Sequence, residues 1–549
     1  MLGVFAVVGF ASCGGDDSGT PAAPGDDAGG TGDAAGDVVK PAEDAPLADA
    51  PPPLKPSCTA EGGSTTVSAP ELVLTLKDRW EEGWLASPAV VDLDGDGKME
   101  IVAPRGAALE VWGADGALKW RYEAVGRIWA SPVVANFLGD GKLEIAVAAR
   151  DKLHLVDASG KVVPGFPATW LDEMRALAGG DIDGDGKLDL AATLAKSGPT
   201  DVVMAWNASG AGITGFPPNA TATSGCGVTK CYLAGCYDQN LAVGDLDGDG
   251  KADLIAPHDN AYASFHMGTG VAFNANAMFK NTTKTPGIRY LHALNEAQQG
   301  YADNQATALQ AHFTNTAPAI ADLDGDGKPE VVMLASVQNA AQTDRKKGVA
   351  VWVVRSDGSR LPGWETPFHA AGYLAGLEDP GDNIVGATNQ LSVADIDPSS
   401  PGLEIVFAGF DGKIHAVSAQ NKELWSFTYT TDPTVLTGGV VIGDLSKDGI
   451  PEIVFNTYST AKDKSALFVL DASGKRLHEV KLSGRGAMPV PTLADVNGDG
   501  TTDIVVSLKD AVDKVESVRV YSVKGSGTKC LLWPTGRGNW LRNGFVPPK

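Results

Sequence analysis

Short apolar runs and clusters of acidic residues alternate along most of the chain. The clearest example is VVDLDGDGKMEIVAP (90–104), in which four acids between residues 92 and 100 are flanked by the apolar runs 89–91 and 101–103. Apolar runs this short are typical of β-strands and too short for helices. The pattern therefore predicts two strands joined by an acidic loop.

The same acidic cluster recurs seven more times. Its eight copies begin at residues 92, 136, 181, 245, 322, 395, 444 and 495. Where no insertion intervenes, the copies are 44 to 51 residues apart, which matches the length of one β-propeller blade.

Two further apolar runs around a Gly-containing turn follow most copies. LHLVDASGKVVPGFP (153–167) and ALFVLDASGKRLHEV (466–480) show this hairpin pattern. The repeating unit is therefore strand, acidic loop, strand, strand, turn, strand. We predict an all-β fold, an eight-bladed β-propeller of four-stranded antiparallel blades, because a closed ring leaves only short sheet edges. A linear solenoid of such sheets is the alternative.

Four stretches do not fit the repeat and are predicted to be insertions, at 218–238, 274–316, 336–347 and 365–390. In a four-stranded blade, the loop between strands 1 and 2 lies on one face of the ring. The loops between strands 2 and 3 and between blades lie on the other face, and all four insertions are of this second kind. Long loops grouped at one end of a rigid scaffold commonly carry binding function.

The acidic loop has the oxygen ligands of a hard-cation site but is not an EF-hand. An EF-hand needs its bidentate acid at position 12 and helices on both sides, whereas the last acid here stands at position 9 between strands. Carboxylates at positions 1, 3, 5 and 9 and the carbonyl of position 7 suit Ca²⁺. Glycines at positions 4 and 6 allow positive φ angles, and no His or Cys is present for zinc or copper. A solvated acidic turn is the alternative.

The eight loops are not equally complete. The loops at 92, 181, 245, 322 and 495 keep all ligand positions, and the loop at 444 keeps three acids and should bind more weakly. In the loop at 136, Leu138 replaces an acid, and the loop at 395 has an extra residue before Glu404, so we expect both to lack an ion. We therefore predict about five to six Ca²⁺ ions. The expected ligand residues are Asp92, Asp94, Asp96, Lys98, Glu100, Asp181, Asp183, Asp185, Lys187, Asp189, Asp245, Asp247, Asp249, Lys251, Asp253, Asp322, Asp324, Asp326, Lys328, Glu330, Asp444, Ser446, Asp448, Ile450, Glu452, Asp495, Asn497, Asp499, Thr501 and Asp503.

These motifs resemble the FG-GAP or VCBS repeats of integrin-α-like bacterial β-propellers over roughly residues 70–545. The C-terminal WPTGRGNWLRNG (533–544) is similar to the segment that ends many of them. The resemblance implies that the calcium loops join strands 1 and 2 of each blade and have a structural role. It does not imply a single function, because such propellers serve adhesion, recognition and a few enzymes.

The N-terminus has the pattern of an exported protein. A short apolar stretch leads into Phe10-Ala11-Ser12-Cys13, which resembles the lipobox of bacterial lipoproteins, where the Cys is lipidated. We predict a signal at 1–13 with Cys13 as lipid anchor, a disordered acidic tether at 14–56 and the propeller at 57–549. A plain secreted protein is the alternative. The expected location is the bacterial cell envelope, with the lipid anchor as the membrane contact.

Charge and motif content exclude several classes of function. The net charge of −24 argues against nucleic acid as a partner, because phosphate binding needs clustered Lys and Arg. No nucleophile elbow, phosphate loop, dinucleotide fingerprint or zinc-ligand spacing is visible. We expect a monomeric propeller.

The cysteines predict a disulfide that closes the ring. Cys58 precedes the first strand-like run and Cys530 lies in the last one, so a closed ring brings them together and we predict a Cys58–Cys530 disulfide. One local disulfide is expected among Cys226, Cys231 and Cys236, and the sequence does not choose which.

Aromatic and cationic residues near the inner strands and in the insertions are the candidate ligand residues on the face opposite the calcium loops. They are Trp84, Arg127, Trp129, Arg175, Tyr237, Arg289, Tyr290, His292 and His312. A packed plug of the channel is the alternative role for those at the channel mouth.

We expect a non-enzymatic, calcium-stabilised recognition or adhesion module of the cell surface that binds an extracellular protein or glycan. The alternative is a calcium-dependent propeller enzyme that acts on polysaccharide in the manner of a lyase. A cluster of Lys, Arg or His at the channel mouth would favour the enzyme.

Overall fold

The computed structural model describes residues 58–77, 82–194, 201, 203–218, 220–221, 241–258, 262–271, 273, 310–312, 316–338, 344, 346–357, 359–378, 384–385, 390–512 and 516–548. These residues form thirty-six β-strands. Nowhere in this described part is there a helix with the length and apolar character needed to cross a bilayer.

The strands group into eight antiparallel blades. β1 (Glu71–Leu76) belongs to the last blade. Blade 1 contains β2 (Ala89–Val91), β3 (Glu100–Arg105), β4 (Ala108–Trp112) and β5 (Leu118–Glu123); blade 2 contains β6 (Val133–Ala135), β7 (Glu144–Ala149), β8 (Lys152–Asp157) and β9 (Ala168–Thr169); blade 3 contains β10 (Met174–Gly180), β11 (Asp189–Leu194) and β12 (Val203–Trp206); blade 4 contains β13 (Ala242–Gly244), β14 (Asp253–His258) and β15 (Tyr262–His266).

The second half of the ring follows the same order. After β16 (Gln310–His312), blade 5 contains β17 (Ala319–Ala321), β18 (Glu330–Gln338), β19 (Val349–Val354) and β20 (Phe368–Ala370); after β21 (Leu377–Glu378) and β22 (Ile384–Val385), blade 6 contains β23 (Leu391–Ala394), β24 (Glu404–Ala408), β25 (Lys413–Val417) and β26 (Glu423–Thr428). After β27 (Val435–Leu436), blade 7 contains β28 (Val441–Gly443), β29 (Glu452–Asn456), β31 (Ala466–Leu470) and β32 (Arg476–Lys481), with β30 (Tyr458–Ser459) paired to β27; blade 8 contains β33 (Thr492–Ala494), β34 (Asp503–Val512), β35 (Glu516–Ser522) and β1, and β36 (Phe545–Val546) pairs in parallel with β17.

The predicted eight-bladed propeller is confirmed. Six blades have four named strands, and blades 3 and 4 have three within the described residues. The first strands of neighbouring blades contact one another around the ring, including β33 of blade 8 with β2 of blade 1. A closed ring is therefore correct and a linear solenoid is not.

Burial explains why the second strands read as continuous apolar runs. β3, β7 and β11 are buried at every residue, because a neighbouring blade covers each of their faces. The outer strand β26 instead alternates between exposed and partly buried residues. Apolar clusters lie between neighbouring blades, and the cluster between blades 8 and 1 joins Leu76 and Val505 to Val90 and Ile101.

Both chain ends close the ring. β1 pairs antiparallel with β35, with Leu76 opposite Val518, so the N-terminal strand completes the last blade. A disulfide joins Cys58 to Cys530, as the ring geometry predicts. The first and last parts of the chain are thus held by backbone hydrogen bonds and by a covalent bond.

The C-terminal segment 530–548, called the tail below, runs along the inner strands. Inner strands have a free edge whose N–H groups need acceptors. Backbone N–H groups of blades 7, 8, 2, 3, 4 and 5 donate to tail carbonyls, from Ile442 to Trp533, Leu493 to Pro534, Val134 to Trp540, Gly179 to Leu541, Val243 to Asn543 and Ile320 to Gly544, over 2.7–3.0 Å. The tail therefore serves as the hydrogen-bond partner of most inner edges.

Close approach and one buried arginine fix the tail. A Cβ on Gly244 would lie 2.6 Å from the ring of Phe545, so only glycine fits there. Arg542 is fully buried, and its guanidinium donates to the carbonyls of Pro132 (3.0 Å) and Pro88 (3.0 Å) and to the hydroxyl of Thr535 (2.6 Å). These bonds tie the tail to blades 1 and 2.

The predicted insertions are described only in part. Residues 336–338 belong to β18, where β16 pairs with them, and residues 368–370 form the fourth strand of blade 5. Most of 218–238 and 274–316 lies outside the described residues. The signal with Cys13, the tether, and Cys226, Cys231 and Cys236 also lie outside them.

Replacing both Cys58 and Cys530 with serine is expected to lower the midpoint of thermal unfolding, measured by circular dichroism. The disulfide spans a sequence separation of 472 residues, and a chain-entropy model already gives about 4.7 kcal/mol for a loop of about 100 residues. Reduction of the wild-type protein serves as the control and should give the same shift. Equal midpoints for the serine variant and the oxidised wild type would contradict a stabilising role for the disulfide.

Candidate metal sites and the opposite channel mouth

All eight acidic loops connect the first and second strands of a blade. In each blade the first strand ends one residue before the first position of the loop, and the second strand begins with the last acid. In blade 3, for example, β10 ends at Gly180 and β11 begins at Asp189. The loops therefore share one face of the ring, which we call the loop face.

The last acid of every loop is buried and has the same partner. It is at most 4% exposed in all eight blades, and one carboxylate oxygen accepts the N–H of the second loop residue. The donor–acceptor pairs are Leu93–Glu100, Phe137–Glu144, Ile182–Asp189, Leu246–Asp253, Leu323–Glu330, Ile396–Glu404, Leu445–Glu452 and Val496–Asp503, at 2.7–3.1 Å. This bond is present in complete and incomplete loops alike.

The first acid folds the rest of the loop around itself. In blade 3, Asp181 accepts the N–H of Gly184 (2.8 Å) and of Gly186 (3.0 Å) on its two oxygens. Both glycines have positive φ, +75° and +83°, which lets the backbone turn its N–H groups inward. The fifth loop residue, Asp185, accepts the N–H of Lys187 (2.9 Å). The carboxylates are thus held in place by backbone donors.

In four loops, one carboxylate oxygen from each of three acids lies within 4.8 Å of the corresponding oxygens of the other two. The groups are Asp92, Asp94 and Asp96; Asp181, Asp183 and Asp189; Asp245, Asp247 and Asp253; and Asp322, Asp324 and Glu330. At the loops of 444 and 495 a Ser446 or Asn497 replaces the acid at position 3. Only oxygen donors are present, so these residues fit a hard divalent cation.

When no cation is near, burial of the charged acids carries a free-energy penalty. It raises the pKa of Asp189 to about 7 and the pKa of Asp253 to about 8, and the neighbouring acids of each loop add to the shift. Burial likewise raises the pKa of Glu330 to about 7. A cation beside these carboxylates would offset that penalty.

The loop at 444 differs from the others because it is covered. The N–H groups of Glu61 and Gly63 donate to the carbonyl of Lys447 at 2.9 and 3.0 Å. Asp444 and Ser446 are consequently buried. The sequence predicted a weaker site here; the structure shows a docking point for the segment beside Cys58.

At the opposite channel mouth, four of the predicted ligand residues meet. The Arg127 guanidinium carbon lies 3.9 Å from the ring centre of Trp84 and 4.6 Å from that of Trp129, and the Arg175 guanidinium carbon lies 4.1 Å from Trp129. The two indole rings are 5.3 Å apart, edge to face. We call these four residues the tryptophan–arginine cluster.

Further charged residues surround this cluster. The Lys509 ammonium lies 3.0 Å from the Trp84 ring centre and 2.8 Å from Glu82, and burial lowers the pKa of Lys509 to about 8. Arg485 pairs with Glu82 (2.9 Å) and Asp510 (2.5 Å). Four cations therefore converge at one mouth: Arg127 from the connection between blades 1 and 2, Arg175 from blade 3, Arg485 from the connection between blades 7 and 8, and Lys509 from blade 8.

The other predicted ligand residues are not part of this described cluster. His312 lies in β16, whose residues pair with β18. Tyr237, Arg289, Tyr290 and His292 lie outside the described residues.

Three charged partners of the cluster were not predicted from the sequence: Glu82, Lys509 and Asp510. Lys509 and Asp510 lie towards the far end of β34, and Glu82 lies between blade 8 and blade 1. A charged pair in an otherwise apolar strand (503–512) was the available indication. The contacts of Lys119 and Arg355 with two of the loops were not predicted either.

A cavity of about 360 Å³ lies on the loop face, between the ends of the inner strands and the tail. Asp181, Asp245 and Lys251 line it together with apolar residues such as Trp533 and Phe545. The two ends of the channel thus have different chemistry.

Comparison with known proteins agrees with this geometry. Residues 181–256, which span the loops of blades 3 and 4, match the family model of the FG-GAP-like repeat. The protein is an eight-bladed β-propeller with an FG-GAP-like repeat at residues 181–256. No curated protein matches this chain.

One solved structure shares the fold, and a second is reported beside it. The biofilm matrix protein Bap1 of V. cholerae is 15% identical, with 88% of this chain and 96% of that chain covered and a TM-score of 0.54. The exotype rhamnogalacturonan lyase YesX is 15% identical, with 87% and 80% covered and a TM-score of 0.49. At these identities the similarity to Bap1 shows the fold alone.

Asp253→Asn is expected to separate the structural role of the last acid from its metal-binding role. The amide oxygen can still accept the Leu246 N–H, and the loss of a buried charge removes a penalty, so the unfolding midpoint in EDTA should stay the same or rise. With a divalent cation present, the midpoint should fall below that of the wild type, because a ligand is lost.

The matched control is Glu404→Gln, in a loop without converging acids, which should show the same cation-dependent rise in midpoint as the wild type. Differential scanning calorimetry with and without the cation measures both variants. An equal effect of the cation on wild type and Asp253→Asn would rule out Asp253 as a ligand.

Proposed function

We propose that this propeller is a calcium-stabilised, non-enzymatic recognition or adhesion module that binds an extracellular protein or glycan. The observation that carries the proposal is the tryptophan–arginine cluster at the mouth opposite the loop face. Aromatic faces suit sugar rings and apolar side chains, and guanidinium groups suit hydroxyl and carboxylate oxygens.

The position of the cluster supports a binding role over a role as a plug. The tail already lies along the inner strands and bonds to them, so the channel does not need the cluster to fill it. Arg127 is exposed, while Trp84 and Trp129 are half-buried. Both indole rings pack on Leu85 and Met488, which holds them rigid. Rigid aromatic residues with exposed charge beside them are typical of binding surfaces.

Calcium is the proposed ion of the loops. The donors are carboxylates and backbone carbonyls without nitrogen or sulfur, and Ca²⁺ accepts six to eight such oxygens in irregular geometry. The bound ion supplies positive charge to buried carboxylates and joins the two strands that each loop connects. We propose about five to six ions, with weak or no binding at the loops of 136, 395 and 444.

The proposed location is the outer surface of a bacterial cell, with lipidated Cys13 as the anchor and 14–56 as the tether. The lipobox-like sequence supports this proposal. A similar fold in Bap1, a biofilm matrix protein, is consistent with a role outside the cell.

A polysaccharide-degrading enzyme is the second candidate, and one specific observation favours it. Arg127, Arg175, Arg485 and Lys509 meet at the channel mouth, which is the cationic cluster that the sequence alone left scattered. Cations in this number suit an acidic polysaccharide. Burial lowers the pKa of Lys509 to about 8, so this amine can lose its proton close to neutral pH.

Removal of calcium is expected to lower the midpoint of thermal unfolding, and Ca²⁺ should restore it. Each occupied site stabilises the native state by about 2.7 kcal/mol when free Ca²⁺ is a hundred times its Kd. Scanning calorimetry in EDTA, after dialysis long enough for slow exchange, and after Ca²⁺ addition measures the effect. Mg²⁺ at the same concentration is the control and should restore less. An unchanged midpoint in EDTA would reject the stabilising role.

Trp129→Ala is expected to weaken ligand binding by about tenfold or more, because a central aromatic contact is lost. Glycan arrays and envelope extracts identify the ligand first, and surface plasmon resonance then compares the variants. Trp120→Ala is the control, since Trp120 lies on the outer strand β5 and donates to the carbonyl of Ala158. Unchanged binding by Trp129→Ala would move the site elsewhere, whereas cleavage of a bound glycan would support the enzyme.

A further inference from the structure

Two of the calcium loops contain a basic side chain that comes from outside the loop. In blade 1 the Lys119 ammonium, from strand β5, lies 2.8 Å from Asp94 and 2.5 Å from Glu100. Asp94 and Glu100 occupy positions 3 and 9 of the loop, which are expected metal ligands. Lys119 therefore already neutralises part of the negative charge that a metal ion would neutralise.

Blade 5 shows the same arrangement with a different residue. The Arg355 guanidinium, just after β19, lies 3.3 Å from Asp326, 3.5 Å from Asp324 and 3.5 Å from Glu330. Its distances are longer than those of Lys119, and its charge is delocalised over the guanidinium. Arg355 should therefore pair less strongly than Lys119.

The remaining complete loops have no such residue in the part of the chain that the structure describes. Among the described residues, no Lys or Arg from outside these loops contacts a carboxylate of the loops at 181, 245 or 495; Lys251 reaches across from blade 4 to blade 3 but bonds to the backbone carbonyl of Asp183 (3.0 Å). Lys187 contacts Asp185 at 3.4 Å from within its own exposed loop.

The arrangement of the acids differs in blade 1 but not in blade 5, where Glu330 still converges with Asp322 and Asp324. In the loops at 181 and 245 the buried last acid converges with the first and third acids. In the loop at 92 the converging set is Asp92, Asp94 and Asp96, without Glu100. Glu100 is only 1% exposed and is bonded to Lys119 instead. Lys119 thus withdraws the last acid from the metal-binding group.

We propose that Lys119 and Arg355 are tethered cations that compete with Ca²⁺, so that the loops at 92 and 322 bind it more weakly than the loops at 181, 245 and 495. This rests on the calcium-binding role proposed above. The ion-free loops of blades 1 and 5 are partly neutralised, whereas those of blades 3, 4 and 8 depend on the ion. The order of affinity is set by the tethered side chain, with the loop at 92 below the loop at 322.

Calcium titration of the full protein against a competing chelator tests the proposal. Lys119→Met should raise the affinity of one weak site by about tenfold, because a hydrogen-bonded cation with a buried partner is removed. Lys475→Met is the control, since it removes one positive charge from an exposed hairpin turn of blade 7, outside the acidic loops. It should change affinity by less than about threefold.

Two further measurements identify the loop and the mechanism. Combining Lys119→Met with Asp92→Ala, which disables the same loop, should abolish the gain in affinity. The unfolding midpoint of Lys119→Met should fall in EDTA, because the ion pair is lost, but recover in Ca²⁺. A side chain that only stabilises the fold would lower both midpoints equally.

The outcomes separate this inference from the calcium role itself. If the wild type binds no Ca²⁺, both fail. If the wild type binds Ca²⁺ but Lys119→Met behaves like Lys475→Met, the tethered-cation proposal alone is overturned. Arg355→Met provides a second, independent variant, and it should raise the affinity of a different site, by less than Lys119→Met does.

Discussion

A buried carboxylate at the first residue of each second strand is the contact on which every blade depends. It accepts the N–H of the second loop residue, and so it closes the loop in all eight blades. Taking a carboxylate out of water is costly unless it is paired. Each blade therefore folds with an electrostatic penalty, which a metal ion, Lys119 or Arg355 can offset. Glu144 and Glu404 show that the acid persists where the other ligands are lost.

The two ends of the channel differ because different parts of the blade form them. The loop face carries the acids and an apolar cavity, whereas the opposite mouth carries two tryptophans and four cations. The inner strand of each blade runs from the mouth with the tryptophans to the loop face, so each blade contributes to both ends. The tail lies between them along the inner edges. Three of these cations are paired with acids of the same mouth, Arg175 with Glu173, Arg485 with Asp510 and Lys509 with Glu82.

Local patterns made much of the fold predictable. The spacing of the loops fixed the number of blades, and the positions just before the inner strands correctly grouped Trp84, Arg127, Trp129 and Arg175. The Cys58–Cys530 pair followed from closure of a ring. The state of the loops at 444 and 92 was harder to predict, because it depends on residues outside each loop.

What the sequence did not predict depends on contacts between distant parts of the chain. Nothing local to β1 shows that it completes blade 8, and nothing local to the tail shows that its carbonyls accept bonds from six blades. Lys119 is a surface-strand residue by pattern, and only the fold brings it to Glu100. Glu82 and Lys509 are likewise 427 positions apart in the chain.

The tail also has a consequence for the order in which the chain can mature. Its carbonyls are synthesised after the inner strands of all eight blades, yet inner strands of six blades bond to them. β1 is made first and stays unpaired until β35 of blade 8 follows. Early blades can form their own sheets, but none of these six has its inner edge satisfied before the tail is made. A chain that folds as it is synthesised would therefore stay an open ring until the tail emerges.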